Sequence, residues 1–188
     1  MREDNIVYHG LAGHFFLKGI SHVLKVRIIA DIEDRVKLEI QRKGISEKEA
    51  RRILLKDDEE RNKWSQFLYG INTTDSQLYD LVIHTRKISV EDAVDIICHT
   101  VSMKQFQTTT ESQQALENLA LGAEVKAALI DLNPAVEVCA EKGMVHINAK
   151  ISEAVRQDME NTIKTHAWSV KGVKDVRLTV APISFYED

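Results

Sequence analysis

A chain of 188 residues that is 44% apolar and 29% charged, with a formal charge of −4, is long enough for one ordinary domain or two small ones, and its composition is that of a globular protein in water. No apolar run approaches the roughly 18 residues of a membrane span. The N-terminal MREDNIVYHG has no apolar signal core, and the charge balance offers no basic face for nucleic acid. Cys98 and Cys139 lie far apart on apolar segments, so the chain is expected to carry buried free thiols and to work in a reducing cytoplasm.

In chain order, Asn5–His9 (NIVYH) reads as a buried strand running into the turn Gly10-Leu11-Ala12-Gly13, and Phe15, Phe16, Leu17 and Ile20 predict a short apolar helix. Val23–Ala30 is β-branched and nearly continuous, as in a parallel strand covered on both faces. Asp31 with Asp34 forms an N-cap signature for a helix over 32–43, stopped by Gly44. Ser46 with Glu49 repeats it and opens a charged helix that ends near Tyr69-Gly70, with a thin apolar stripe of Ala50, Ile53, Leu54 and Phe67. Glu47 and Arg51, Lys56 and Glu60, Asp57 and Arg61 stand four apart on it, as ion pairs along a solvated helix do. Leu78–His84 predicts a third strand, and Ser89 with Asp92 caps a helix to about Met103. This order implies a parallel α/β unit with right-handed crossovers.

Gln105–Gln114 is polar and rich in Thr and Gln, and marks a linker, placed at 107–114 between domains over 1–106 and 115–185. Beyond it the pattern predicts a helix over 115–132 broken at Asn133-Pro134, strands over 135–140 and 144–149 joined by Glu141-Lys142-Gly143, a helix capped by Ser152, and a strand over 172–180. The second domain is therefore α-β-β-α-β with a small mixed sheet.

Lys56, Asp58 and Arg61 lie loosely around the C-terminal half of the charged helix, where two cations and an orienting carboxylate suit a phosphate. The seven histidines show neither HExxH nor CxxC spacing, and no metal site or catalytic residue is assigned. Adjacent Cys98 and His99 point to different sides of a helix. Trp64 and Trp168 read as core or interface anchors.

Segments within residues 5–100, namely VYHGLAG, LKVRIIADIEDRV, GISEKEARRILLKDDEERNKW, YGINTTDSQLYDLVIHT and ISVEDAVDII, resemble the C-terminal two-thirds of the cytidylate kinase-like family of P-loop nucleoside monophosphate kinases. The resemblance implies an incomplete P-loop-kinase-like parallel sheet. Its mobile lid pattern K-x-D-x-x-R falls on Lys56, Asp58 and Arg61; the two cations would face phosphates and Asp58 would orient a cation. Arg35 matches another basic position of the nucleotide region, although an ordinary surface arginine is an equal reading. Gly10 and Gly13 match the family's second glycine turn, where an arginine commonly contacts the acceptor nucleotide; Leu11 stands there, with His9 at a usually acidic position.

The sequence contains no GxxxxGK[ST], the motif whose amides and lysine hold donor phosphates. In the family that strand lies between those matched by NIVYH and VLKVRIIA, so these two would pair directly, a partner would fill the gap, or the chain is a fragment. As it stands, no phosphoryl transfer and no cofactor are expected; ATP and Mg²⁺ would belong to a chain with that segment. Residues 112–183 resemble a BON domain through VKAAL, VEVCAEKGMVHINAKI and VKGVKDVRLTV, which implies a hydrophobic ligand, a lipid surface or a second copy as partner. The expected function is a non-catalytic nucleotide-sensing or assembly protein; the alternatives are part of an active kinase, or a BON-mediated lipid adaptor.

Overall fold

The computed structural model of the chain describes residues 5–182, which fall into two units, residues 5–108 and 109–182. The expected domain ends at residues 1–4 and 183–185 lie outside the described residues.

In the first unit, α1 (Gly13–Phe16) precedes β1 (Val26–Ile29), α2 (Ile32–Lys43), α3 (Glu47–Tyr69), β2 (Leu81–His84) and α4 (Val90–Val101). β1 and β2 pair in parallel, Val26 opposite Leu81 and Ile29 opposite His84, with α2 and α3 forming the crossover. Local chemistry sets the helix ends. Gly44 and Gly70 adopt the left-handed conformation that closes α2 and α3. The Ser46 hydroxyl accepts the Glu49 amide at 3.2 Å, and Ser89 with Asp92 forms a complete capping box on α4. Leu17, Ile20, Val36, Ala50, Ile83 and Ala93 are buried here, whereas Leu38, Phe67 and Val90 stay exposed.

NIVYH forms no strand: residues 5–12 lie outside any regular element, and Val7 is 96% exposed. A strand needs a partner for its amides and carbonyls, and the neighbour of β1 is β2. The Tyr8 ring instead folds back over Gly10 and Gly13. The expected strands over 23–30 and 78–84 shorten to four residues each, and Leu78 belongs to a 3-10 turn over Ser76–Leu78 instead.

In the second unit, α5 (Thr110–Leu129) leads to β3 (Glu137–Glu141), β4 (Met144–Ile151), α6 (Arg156–Ser169) and β5 (Asp175–Pro182). The sheet order is β3-β4-β5, antiparallel then parallel, with α6 as the crossover. Period-two alternation along the strands places Val145, Ile147, Ala149 and Ile151 under α5 and α6, where Val125, Leu129 and Ile163 are fully covered. α5 starts inside the stretch expected as linker, because Thr109 and Ser112 cap each other: the Thr109 amide donates to Ser112 Oγ at 3.0 Å and the Ser112 amide to Thr109 Oγ1 at 3.1 Å. Ser152 does not cap the next helix. A 3-10 turn at Glu153–Val155 intervenes, and α6 begins with no side-chain cap. Both cysteines are exposed rather than buried, Cys98 on α4 and Cys139 on the sheet face away from the helices. Trp64 and Trp168 are half-exposed, at 41% and 50%, so neither is a core anchor. Phe67, expected on the apolar stripe of α3, is 88% exposed, and Ala50 and Ser65 supply the buried side of that helix.

Candidate functional site

In a parallel α/β unit, ligands bind beyond the carboxyl ends of the strands. At that edge β1 and β2 are tied beyond their last residues: the Thr85 amide and hydroxyl both donate to the Ile29 carbonyl, at 2.9 and 3.2 Å. Asp31 follows β1 directly. Its extended backbone occupies the N-cap position of α2, but its carboxylate caps nothing. It instead takes His84 Nε2 at 3.1 Å and Arg86 Nη1 at 2.9 Å, so one acidic group gathers two residues from the end of β2. The sequence reading missed this cluster. The Asp31–Asp34 spacing of a capping box concealed it, and only strand pairing brings His84 beside Asp31.

One turn further along α2, Arg35 donates two parallel bonds to Asp58 of α3, Nη1 to Oδ2 at 2.7 Å and Nη2 to Oδ1 at 2.8 Å. This planar fork holds the guanidinium in one orientation. The hydrogen bond to Asp58, opposed by burial and aided by the charges of Asp58 and Asp57, raises the Arg35 pKa further above its usual value. Glu33 and Arg51 add a second α2–α3 ion pair at 3.3 Å.

The four residues of the expected phosphate grip do not converge. Arg35 and Asp58 meet, whereas Lys56 pairs with Glu60 at 3.5 Å and Arg61 with Asp57 at 2.9 Å, each within α3 and exposed to solvent. Lys63 does the same with Glu59 at 2.6 Å. A phosphate would have to replace these carboxylates. Gly10 and Gly13 form no anion cradle. A Cβ at either would collide with the Tyr8 ring, so the glycines seat that ring. Nearby, His14 packs against Phe15 and Tyr79 with ring centroids 4.2 and 4.9 Å away, and its Nε2 is buried without a partner. Burial first, and the Lys25 charge second, lower its pKa below 6.5. Among the described residues no three of His, Cys, Asp and Glu are placed to hold a metal ion.

The loop before β2 is also built in detail. Asn72 Oδ1 accepts the Thr74 amide at 3.0 Å, and the Thr73 carbonyl takes both the Tyr79 hydroxyl, at 3.0 Å, and Arg27. This segment and the helices around Arg35 and Asp58 are also where the chain compares with known proteins. Residues 1–87 match the cytidylate kinase-like family. The cytidylate kinase of Sulfolobus acidocaldarius is 32% identical over 108 residues, covering 56% of this chain and 58% of that protein. That of Methanopyrus kandleri is 30% identical over 103 residues, 50% of this chain and 53% of the relative. The enzyme of Methanosarcina acetivorans is 33% identical over 98 residues, 51% and 53% of the two lengths. The chain thus spans a little over half the length of these relatives. No helix among the described residues is long and apolar enough to cross a membrane.

Proposed function

We propose that the first unit binds a nucleoside phosphate at the carboxyl edge of β1 and β2 and, as this chain stands, does not transfer a phosphoryl group. The observation that carries the binding is Arg35, held in a fixed fork by Asp58 on the helix that leaves β1, within the segment matching the cytidylate kinase-like family. The fork that Arg35 presents to Asp58 has the geometry a phosphate takes in the same bidentate way, so binding exchanges the exposed carboxylate for the anion. Arg86, drawn to the same edge by Asp31, supplies a second cation. Arg61, one turn from Asp58, joins it by releasing Asp57, an exchange that costs little for an exposed pair, whereas Lys56, two residues from Asp58, lies toward the other side of α3. The non-catalytic part rests on the sequence, in which no glycine-rich loop ends in Lys-Ser/Thr to take a donor triphosphate.

Calorimetric titration with CMP and with ATP tests the binding. CMP is expected to bind, and Arg35→Ala to weaken it about tenfold, the loss of a charge-assisted bidentate contact. Absence of heat with both nucleotides overturns the reading. Turnover above background in a coupled CMP kinase assay overturns the non-catalytic part alone, and favours the reading of this chain as part of an active kinase using ATP and Mg²⁺.

The element order α5-β3-β4-α6-β5 supports the reading of the second unit as BON-like, with assembly of copies or attachment to lipid as its role. Flotation with liposomes and the mass in solution by light scattering separate these two: a monomer that stays out of the lipid fraction would exclude both.

A further inference from the structure

Within the second unit a cavity of about 510 Å³ opens between the N-terminal half of α5, the β3–β4 turn and the loop before β5. Lys142, Lys171 and Lys174 line it, against a single carboxylate, Glu117. Three cations and one anion leave a lining charge of +2. All three lysines are exposed to solvent, and none of their ammonium groups has an ion-pair partner among the described residues. Like charges gathered around one recess raise the positive potential there, which favours an anion at this place over the rest of the unit's surface.

The frame around them is fixed. Asn118 Oδ1 accepts the Lys142 amide at 2.8 Å and Gln114 Nε2 at 3.1 Å, tying the turn to α5 and leaving the Asn118 amide NH₂ without a partner among the described residues. The Lys174 and Asp175 amides both donate to the Gly143 carbonyl, at 2.8 and 3.3 Å, and lock the two loops together. Lys142 has φ 51° and Gly143 φ 93°, the pair of left-handed residues of a type I′ turn. The first of these positions favours Asn, Asp or Gly. A lysine there carries a cost in backbone strain.

We propose that this cavity is a binding site for a phosphomonoester, with Lys142, Lys171 and Lys174 as its ligands. A phosphomonoester carries about −1.5 to −2 at neutral pH, which complements the lining charge. The recess is half-open to solvent, and its volume, within the ~300–1,000 Å³ range of small-molecule sites, leaves room for a phosphate with a small organic body that stays partly in water. The phosphate is free in solution or is the headgroup of a lipid; the chemistry of recognition is the same.

The test uses the full chain, ¹⁵N-labelled, titrated to millimolar concentration with glycerol 3-phosphate and with CMP. Saturable shifts are expected at the amides of 114–118, 142–143 and 171–175. The triple variant Lys142→Asn, Lys171→Gln, Lys174→Gln should weaken them about tenfold or more, since each charge-assisted contact is strong. Lys142→Asn alone suits the turn better than lysine, so it should weaken binding without lowering Tm, which separates a lost ligand from a lost fold. Sedimentation with phosphatidic acid vesicles, competed by glycerol 3-phosphate, would place the phosphate on a lipid; shifts with the soluble esters and no sedimentation would place it on a metabolite. The proposal is overturned if neither soluble ester moves those amides and no competable sedimentation occurs, or if the triple variant binds as the parent does. CMP shifts confined to residues 5–108 would report on the first unit, and the glycerol 3-phosphate titration would then decide for or against this cavity.

Discussion

Asp58 shows how a single carboxylate can be read two ways. On helical spacing alone it sits between Lys56 and Arg61, but in the structure both of those cations turn to acids of their own helix, and Asp58 reaches to Arg35 on the neighbouring one. Side chains on both sides of this pair are about a third or more exposed, so Asp58→Asn should cost no more than about 1 kcal/mol by chemical denaturation. A larger loss would mean that the pair holds α2 against α3. His14 makes a sharper case. Its pKa is lowered in the folded chain, by burial and then by Lys25. The unfolded chain therefore takes up this proton more readily. Stability is whole above about pH 6.5 and falls as the pH drops through the unfolded value towards the folded one. His14→Phe, which keeps a ring and removes the proton site, should flatten the fall of Tm between pH 7 and pH 5. Equal slopes for parent and variant would show that this imidazole carries no linkage.

Elements were legible where their ends are written in side chains. The boundaries of α2, α3 and α4 follow from Gly44, Ser46 with Gly70, and Ser89 with Asp92, since caps act within one turn of the chain. The same local logic failed at four places, two of them the expected caps Asp31 and Ser152, whose side chains cap nothing. The Thr- and Gln-rich stretch that suggests a linker holds the cap and first turn of α5, and NIVYH has strand propensity with no strand beside it. β-propensity describes fitness for a pleated, half-buried surface, so it says nothing about whether a neighbour exists. In the second unit Leu129 is fully covered by the core cluster, and Leu129→Ala should cost about 2–5 kcal/mol, measured by urea unfolding followed through α5 or sheet signals. Gly143→Ala faces both a left-handed backbone and contacts at 2.8 Å with the Lys174 side chain and 3.1 Å with the Gly172 carbonyl. It should lose about 1–3 kcal/mol. By contrast Gly122→Ala meets only ordinary contacts of 3.6–3.7 Å with the β3 backbone and gains helix propensity, so its Tm should hold or rise.

At the scale of the molecule the two units differ in how completely they bury what they have. The cluster under α5 and α6 encloses Val125, Leu129, Val145, Ile147 and Ile163 at 0% exposure, while the first unit leaves Val7, Phe67, Leu38 and Val90 in solvent. Protection against hydrogen exchange follows covered apolar contacts, so the β4 amides should exchange slowest and those of β1 and β2 earlier. Equal protection in both sheets would contradict the burial seen here. The exposed cysteines follow from the same difference of scale. An apolar sequence neighbourhood predicts burial, but Cys139 alternates with Val138 and Ala140 and so takes the uncovered face of its sheet.

By itself the sequence determined the α/β class, most helix ends, the ion pairs along α3 and the resemblance of its first half to a nucleotide kinase, because each of these is set by residues within a few positions of one another or by their order along the chain. Only the tertiary structure decided which strand lies beside β1, that Asp31 gathers His84 and Arg86, that Arg35 and Asp58 meet across two helices, and that three lysines from two loops face one cavity. Those outcomes depend on groups far apart in the chain being brought within reach of one another, and no local spacing encodes that distance.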